Sequence, residues 1–497
     1  MSDVKRNVVA NYVGQAWGAI IGVVFLPIYI RYIGIEGFGV IGFFVALQSL
    51  FSILDLGLSA TLTRELAVRS QTNLAYETRD LVRTLEWIYW PMGGVIALAV
   101  WGGAQFLAEH WLRPVALSTD QTSDALLLLG MATALQWPVS FYTGGLAGLQ
   151  RQVVLNVMSV SFATIRAVGA VFVLVAISPT LHAFLWWQIV VSAFQTAVYA
   201  IVTWRFLPSA ESPPAFSKHQ LTRIGRFAIG ISGTTIVSFL LTQTDRFVLS
   251  KILALDAFGV YAFAASIAFA LLRLVYPIST AVFPRYSQLV AANDSPTLVD
   301  FYHRTNQLMS VAIVPVAVTV AMFAHDLIWL WTGDADLARA AAPILALLIA
   351  GTAANGLMNL PYSLQLAYGW TSLAFWINVV AVCVLVPAIV LLGKQYGGVG
   401  AASAWLALNL AYLAIGIPLM HRRLLGHEMW RWYVADIGPP IAASVLIVAS
   451  WRLVVPALPH GLAGWALLVL ALSTAIGASV LATQAPRRML RQFLSAN

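Results

Sequence analysis

Charge is what this sequence has least of. Only 10% of its 497 residues are Asp, Glu, Lys or Arg, and the mean hydropathy is +0.82, whereas soluble domains carry about 25% charged residues. So little charge cannot cover a water-facing surface, which excludes a soluble enzyme or binding module. Cysteine is almost missing. The single copy, Cys383, lies in an apolar run, so an internal disulfide framework and a cysteine metal site are both excluded. Acids are outnumbered, 20 against 28 Lys and Arg, but the excess is scattered through short connections and forms no nucleic-acid-binding patch. Long polar stretches are lacking too. The longest inward connections, 64–84, 206–223 and 289–306, are too short for a folded domain. No cleavable leader is read at the start, because the apolar run after Lys5 and Arg6 continues to Ile33.

What the chain does have is apolar runs of some twenty residues or more, each long enough to cross roughly 30 Å of hydrocarbon. They recur from 8–32 and 37–63 through 123–148, 224–252, 371–393 and 398–420 to 461–483. The reading is an all-α membrane protein of about fourteen transmembrane helices. Many of the 18 Trp stand near the ends of these runs, as interfacial belts do. With the N-terminus in the cytoplasm, nineteen Lys and Arg fall on the cytoplasmic face and six on the other, leaving Arg166, Arg246 and Arg273 within the membrane. That bias sets the orientation, with both termini cytoplasmic.

An internal repeat divides the runs. Ile30-Arg31-Tyr32-Ile33-Gly34-Ile35-Glu36-Gly37-Phe38-Gly39-Val40 resembles Ser250-Lys251-Ile252-Leu253-Ala254-Leu255-Asp256-Ala257-Phe258-Gly259-Val260 at an ungapped offset of 220 residues. In both copies a basic residue ends one helix and an acid starts the next, near its positive dipole end. Six runs fit in the interval, so the halves share one orientation, as in parallel-repeat transporters. Two pseudo-symmetric six-helix lobes, 1–206 and 224–422, then flank a cytoplasmic linker at 207–223. Residues 423–497 add two further helices and a tail.

Ionisable groups inside a membrane cost on the order of 3 kcal/mol each on insertion scales, so each needs a reason. Asp55 falls on a stripe with Gln48, Ser52, Ser59 and Thr63; Arg166, Asp245, Arg246 and Arg273 lie on other helices. Buried ion pairs would account for them. So would a water-filled cavity, and three arginines against two acids would make such a cavity cationic, as an anionic ligand requires; arginine's fork suits phosphate. Uncharged stripes run along Thr133, Gln136, Ser140 and Thr143 and along Thr352, Asn355, Asn359 and Tyr362, and serve either as interhelical glue or as cavity lining. The histidines stand near loops or helix ends, and no proton relay or metal cluster is read from them.

The chain resembles the polysaccharide flippases of the Wzx type, within the multidrug/oligosaccharidyl-lipid/polysaccharide exporter superfamily. The resemblance is carried by Asn11-Tyr12 through Pro27-Ile28-Tyr29, by Tyr32-Ile33-Gly34-Ile35-Glu36-Gly37-Phe38-Gly39, by Asp55-Leu56-Gly57-Leu58 ending in Thr63-Arg64-Glu65, and by Thr244-Asp245-Arg246-Phe247-Val248-Leu249-Ser250-Lys251. It implies a transporter and no enzyme, in the bacterial inner membrane. The cargo would be undecaprenyl-diphosphate-linked oligosaccharide repeat units, moved from the cytoplasmic to the periplasmic leaflet by alternating access. Arg166, Arg246 and Arg273 would then meet the substrate, and Asp55 and Asp245 would serve ion coupling or gating. The resemblance implies no cofactor beyond a proton or sodium gradient. Its expected partners are membrane lipids, a polysaccharide polymerase and chain-length proteins. A lipid II flippase and a drug/cation antiporter of the same superfamily are the rivals within transport. A membrane glycosyltransferase or polymerase would need Asp334-Ala335-Asp336 as a metal-binding Asp-x-Asp, where a helix cap also fits the spacing.

Overall fold

Backbone amides in hydrocarbon have no water to bond, so each spanning segment must close its hydrogen bonds on itself. The computed structural model describes residues 14, 17, 18, 20–55, 57–69, 75–209, 213–218 and 243–496. All regular structure among them is helical. Eleven of these helices are long and apolar enough to cross a membrane, which makes the chain a multi-pass membrane protein.

Two of the gaps between the predicted spans hold a kink at a glycine. Leu26–Asp55 runs from within the first predicted span into the second across Gly34 (φ 75°), and Ser372–Leu424 joins two others across Gly397 (φ 60°). With ψ at 164° and −140° these positive φ values lie where a Cβ would clash, so both points are breaks placed by glycine in the sequence. The 224–252 run lies outside the described residues except for a helix at 243–252.

The described chain forms two compact units, Met1–Gly259 and Val260–Asn497. The first holds α1 (Leu26–Phe51), α2 (Leu58–Arg69), α3 (Ala75–Phe106), α4 (Thr119–Gln136), α5 (Pro138–Gly148), α6 (Gln152–Phe172) and α7 (Leu181–Phe206). Pro138 lacks the amide that would continue α4, and α5 starts there. α4 packs on α3 and α7, and α2 on α5. Leu62, Leu85, Tyr89, Phe141 and Leu146 are buried between them. Outward-facing Trp101, Leu98 and Val95 on α3 are exposed, as side chains turned to lipid would be.

Both repeat copies dock on the connection between α3 and α4. The buried Glu36 carboxylate accepts from the backbone amides of Val115, Ala116 and Leu117, the last two at 2.7 and 3.0 Å. On the second copy's side, Trp111 Nε1 donates to Ser250 Oγ at 3.1 Å, and the Leu255 amide donates to the Arg113 carbonyl at 2.9 Å. The acids of the two copies thus differ in use. Glu36 binds a distant loop, while the exposed Asp256 accepts from the next amide, Ala257, at 2.7 Å.

In the second unit α8 (Leu255–Ala270, from Val260 onward) leads into α9 (Leu272–Ala291), α10 (Ser295–Met322), α11 (Ala335–Leu357), α12 (Asn359–Ala367), α13 (Ser372–Ala411), α14 (Gly438–Val454), α15 (Leu462–Ala482) and α16 (Gln484–Ala496). α10 is its axis and packs on α9, α11, α14, α15 and α16. Asp326, beyond the end of α10, accepts from Arg452 Nη1 on α14 at 2.6 Å and from the Leu458 amide at 3.1 Å, which ties the last hairpin to it.

Candidate functional site

Arg166 stands on α6, in a helix otherwise rich in Val, Ala and Phe. A guanidinium there must be solvated by protein, and α7 does this with one face. Gln188, Ser192 and Gln195 recur at spacings of four and three, which stacks them along a single side of the helix. Arg166 Nη1 donates to Gln188 Oε1 at 2.7 Å, Nη2 donates to Gln195 Oε1 at 2.9 Å, and both nitrogens reach Ser192 Oγ at 3.4 Å. Trp187 Nε1 donates to the Arg166 carbonyl at 3.1 Å and fixes the backbone behind it. Every one of these partners is neutral, so the guanidinium is oriented while its charge stays uncompensated among the described residues.

Arg166 borders a cavity of about 380 Å³ inside the first unit. That size lies within the range of small-molecule sites. Its wall includes Tyr29, Phe44, Gln48, Thr133 and Gln136, and among the described residues no carboxylate lines it. Tyr29 donates to the Ala167 carbonyl at 3.4 Å and meets Phe184 edge-on, with ring centroids 5.1 Å apart. Gln48 Nε2 donates to Thr133 Oγ1 at 2.7 Å, clamping α1 to α4 across the wall. The cavity is apolar in most of its lining, with one cation and a few fixed dipoles. An anion entering it would gain a full Coulombic partner in a low-dielectric setting.

The other predicted site residues lie elsewhere. Arg246 and Asp245 are half-buried on the helix at 243–252, outside the cavity wall; the buried Arg246 Nε has no hydrogen-bond partner among the described residues. Arg273 is the second residue of α9 and exposed, in the second unit. Pro277 deprives its carbonyl of the usual donor four residues on.

Asp55 does not sit on a continuous helix. α1 ends at Phe51, residues Ser52–Asp55 form a 3-10 turn, and Gly57 (φ 73°) resets the chain before α2. The expected five-residue stripe is therefore split. Gln48 faces the cavity, while the Asp55 carboxylate accepts from the Tyr89 hydroxyl and from Ser59 Oγ at 2.9 Å. Thr63 donates to the Ser59 and Gly144 carbonyls, each at 3.0 Å. Among the described residues Asp55 is thus held by hydroxyls, and the expected ion pair with an arginine of another helix is not the arrangement seen.

The two uncharged stripes divide between the two expected roles. Thr133 and Gln136 line the cavity. Thr352 accepts from Trp405 Nε1 at 3.3 Å, and Asn355 donates to Asn409 Oδ1 at 2.9 Å, so this stripe joins α11 to α13 as glue. Asp334 is a helix cap: its Oδ1 accepts from the Asp336 and Leu337 amides, each at 2.9 Å, and Asp336 pairs with Arg339. The Arg166 cradle was missed in the sequence. The Gln188, Ser192 and Gln195 spacing was the signal for it, in a run otherwise read only as apolar.

Comparison with known proteins extends the geometry. The family model described as "Polysaccharide biosynthesis protein" matches residues 4–290, and the MatE model matches residues 231–391. A Shigella flexneri protein named "Putative O-antigen transporter" is 24% identical over 409 residues, 81% of this chain and 94% of that one. The Escherichia coli (strain K12) lipopolysaccharide biosynthesis protein WzxC is 23% identical over 230 residues, 46% of each chain. Among solved structures, the lipid II flippase MurJ in an inward closed conformation superposes with a TM-score of 0.69 at 13% identity, covering 98% of this chain and 99% of that one. An inward-facing multidrug resistance MATE family transporter gives 0.63 at 13% identity over 83% of this chain and 95% of its own. These two likenesses establish a shared transporter fold.

Proposed function

The chain belongs to the polysaccharide biosynthesis protein family, and from that premise we propose that it is a flippase for lipid-linked oligosaccharides. Its cargo in this reading is an undecaprenyl-diphosphate-linked repeat unit, carried from the cytoplasmic to the periplasmic leaflet by alternating access to serve polysaccharide biosynthesis. The observation that carries the reading is Arg166, a guanidinium that among the described residues is held by neutral acceptors, at a cavity wall where they place no carboxylate. A diphosphate offers such a fork paired oxygens and the charge it lacks. The names of the Shigella and Escherichia relatives support an O-antigen or lipopolysaccharide cargo.

Around this centre the remaining assignments are proposals of the same kind. Arg246 and Arg273 meet the diphosphate or acidic sugars in other steps of the cycle. Asp55 and Asp245 take the coupling or gating role, driven by a proton or sodium gradient. The protein sits in the bacterial inner membrane with both termini cytoplasmic, as the loop charges support. A polymerase and chain-length proteins receive the flipped unit.

A drug/cation antiporter fits less well, because a cationic substrate would meet Arg166 with no acid among the described residues of the cavity wall. Lipid II shares the diphosphate, and the likeness to MurJ is one of fold. The test is transport by the purified full-length protein in phospholipid vesicles, offered in turn an undecaprenyl-diphosphate oligosaccharide, lipid II and a lipophilic cationic dye. The oligosaccharide should be flipped fastest. Equal or faster flipping of lipid II, or movement of the dye alone, would overturn the reading.

A further inference from the structure

His303 was expected in a cytoplasmic connection with no role. Instead α10 begins at Ser295, capped by Asp294 Oδ1, which accepts from the Thr297 amide at 3.2 Å, and this early start makes His303 part of the helix. The ring is buried, and both its nitrogens face carboxylates: Nδ1 lies 2.5 Å from Asp436 Oδ2, and Nε2 lies 2.9 Å from Glu428 Oε2. An ionised carboxylate only accepts hydrogen bonds, and a neutral imidazole has one N–H to give. With both acids ionised and the ring neutral, one of the two contacts would set a lone pair against an oxygen anion. The geometry requires one more proton, on the ring or on a carboxyl.

The surroundings agree on that proton's charge. Asp436 has a side chain 0% exposed, and its second oxygen accepts from Gln307 Nε2 at 2.9 Å. Gln307 Oε1 in turn accepts from the Ala485 amide at 2.8 Å, at the start of α16. Arg431 Nη1 lies 3.4 Å from Glu428. Among the described residues the other titratable groups facing the cluster are Tyr286 on α9, Tyr302 on α10 and His421 on the helix Ile417–Leu424, with Tyr433 facing Tyr302. With one added proton, the ring and Arg431 balance the two acids. Without it a fully buried carboxylate would have no cation at contact among the described residues, which is costly. Glu428, with 28% of its side chain exposed, is the most accessible of the three groups and stands at the rim of the cluster.

We infer that Glu428, His303 and Asp436 form a proton-binding site whose filled state fastens the segment Trp432–Ile437 and the start of α16 to α10. The step balances simply. A hydronium proton passes by way of the Glu428 rim to His303, whose other N–H is donated to Asp436. No other bond is made or broken. The inference is independent of what the protein carries.

The test is spectroscopy of the full-length protein with isotope-labelled histidine rings, reconstituted in phosphatidylcholine vesicles and titrated from pH 6 to pH 9 (roughly the window in which imidazoles change charge). At pH 7 the wild type should show an imidazolium, or a carboxylic acid band, that is missing from both His303→Gln and Asp436→Asn. If those variants fail to fold, Glu428→Gln at the partly exposed rim, whose amide can donate to the ring and removes the need for the extra proton, should weaken that signal at pH 7. A wild-type spectrum at pH 7 with only neutral rings and no protonated carboxyl would overturn the site, as would an unchanged titration in Glu428→Gln.

Discussion

Gly39 and Gly259 are packed reciprocally. A Cβ on Gly39 would lie 2.6 Å from the Leu255 carbonyl oxygen, and one on Gly259 would lie 2.2 Å from the Ile35 carbonyl oxygen. Ile35 and Leu255 are separated by the same 220 positions as the two glycines. The repeat seen in the sequence is therefore also a contact, in which each copy presses a bare helix face on the other's helix start. Gly259→Ala should cost about 1–3 kcal/mol of stability, the scale of overpacking, with Gly39→Ala milder. Gly94→Ala on α3, where a Cβ meets open space, should be neutral or gain up to about 1 kcal/mol. Thermal unfolding of the three variants checks this order.

The Asp55 carboxylate is held by two hydroxyl donors, Tyr89 and Ser59. Asp55→Asn keeps an acceptor oxygen and should fold, whereas Asp55→Leu strands the Tyr89 hydroxyl at a cost of about 1–3 kcal/mol. If Asp55 serves coupling, the Asn variant should still lose at least roughly tenfold in transport, the rate equivalent of about 1.4 kcal/mol. Wild-type flipping by a folded Asp55→Asn would remove Asp55 from that role.

Asp334 caps α11 and Asp336 pairs with Arg339 on the surface. The double variant Asp334→Ala, Asp336→Ala should lose about 1 kcal/mol of stability as a lost cap, with transport unchanged. Abolished activity in a folded double variant would restore the enzymatic reading of this Asp-x-Asp.

Much of the fold was legible because hydrocarbon imposes long apolar runs, and the glycine pair marked the repeat. The breaks at Gly34 and Gly397 fall in the gaps 33–36 and 394–397 between apolar runs, and were legible too. The end of α1 before Asp55 was not, since a 3-10 turn keeps polar residues three apart much as a helix does. In the site, Arg166 was visible as a charge in an apolar run. Its cradle could be read only by asking which polar stripe on a neighbouring helix matched it. His303 and Asp436 were beyond reach, because residues 133 positions apart meet through packing that no local period encodes.

The central claim is that Arg166 offers its uncompensated charge to an anionic head group. The most direct measurement is the flipping rate of an undecaprenyl-diphosphate oligosaccharide in vesicles by wild type, Arg166→Lys and Arg166→Gln, each confirmed folded. Loss of a desolvated charge contact costs about 2–5 kcal/mol, so Arg166→Gln should slow flipping by on the order of 100-fold. Arg166→Lys, which keeps the charge without the fork, should fall between it and wild type. Equal rates for Arg166→Gln and wild type would contradict the account.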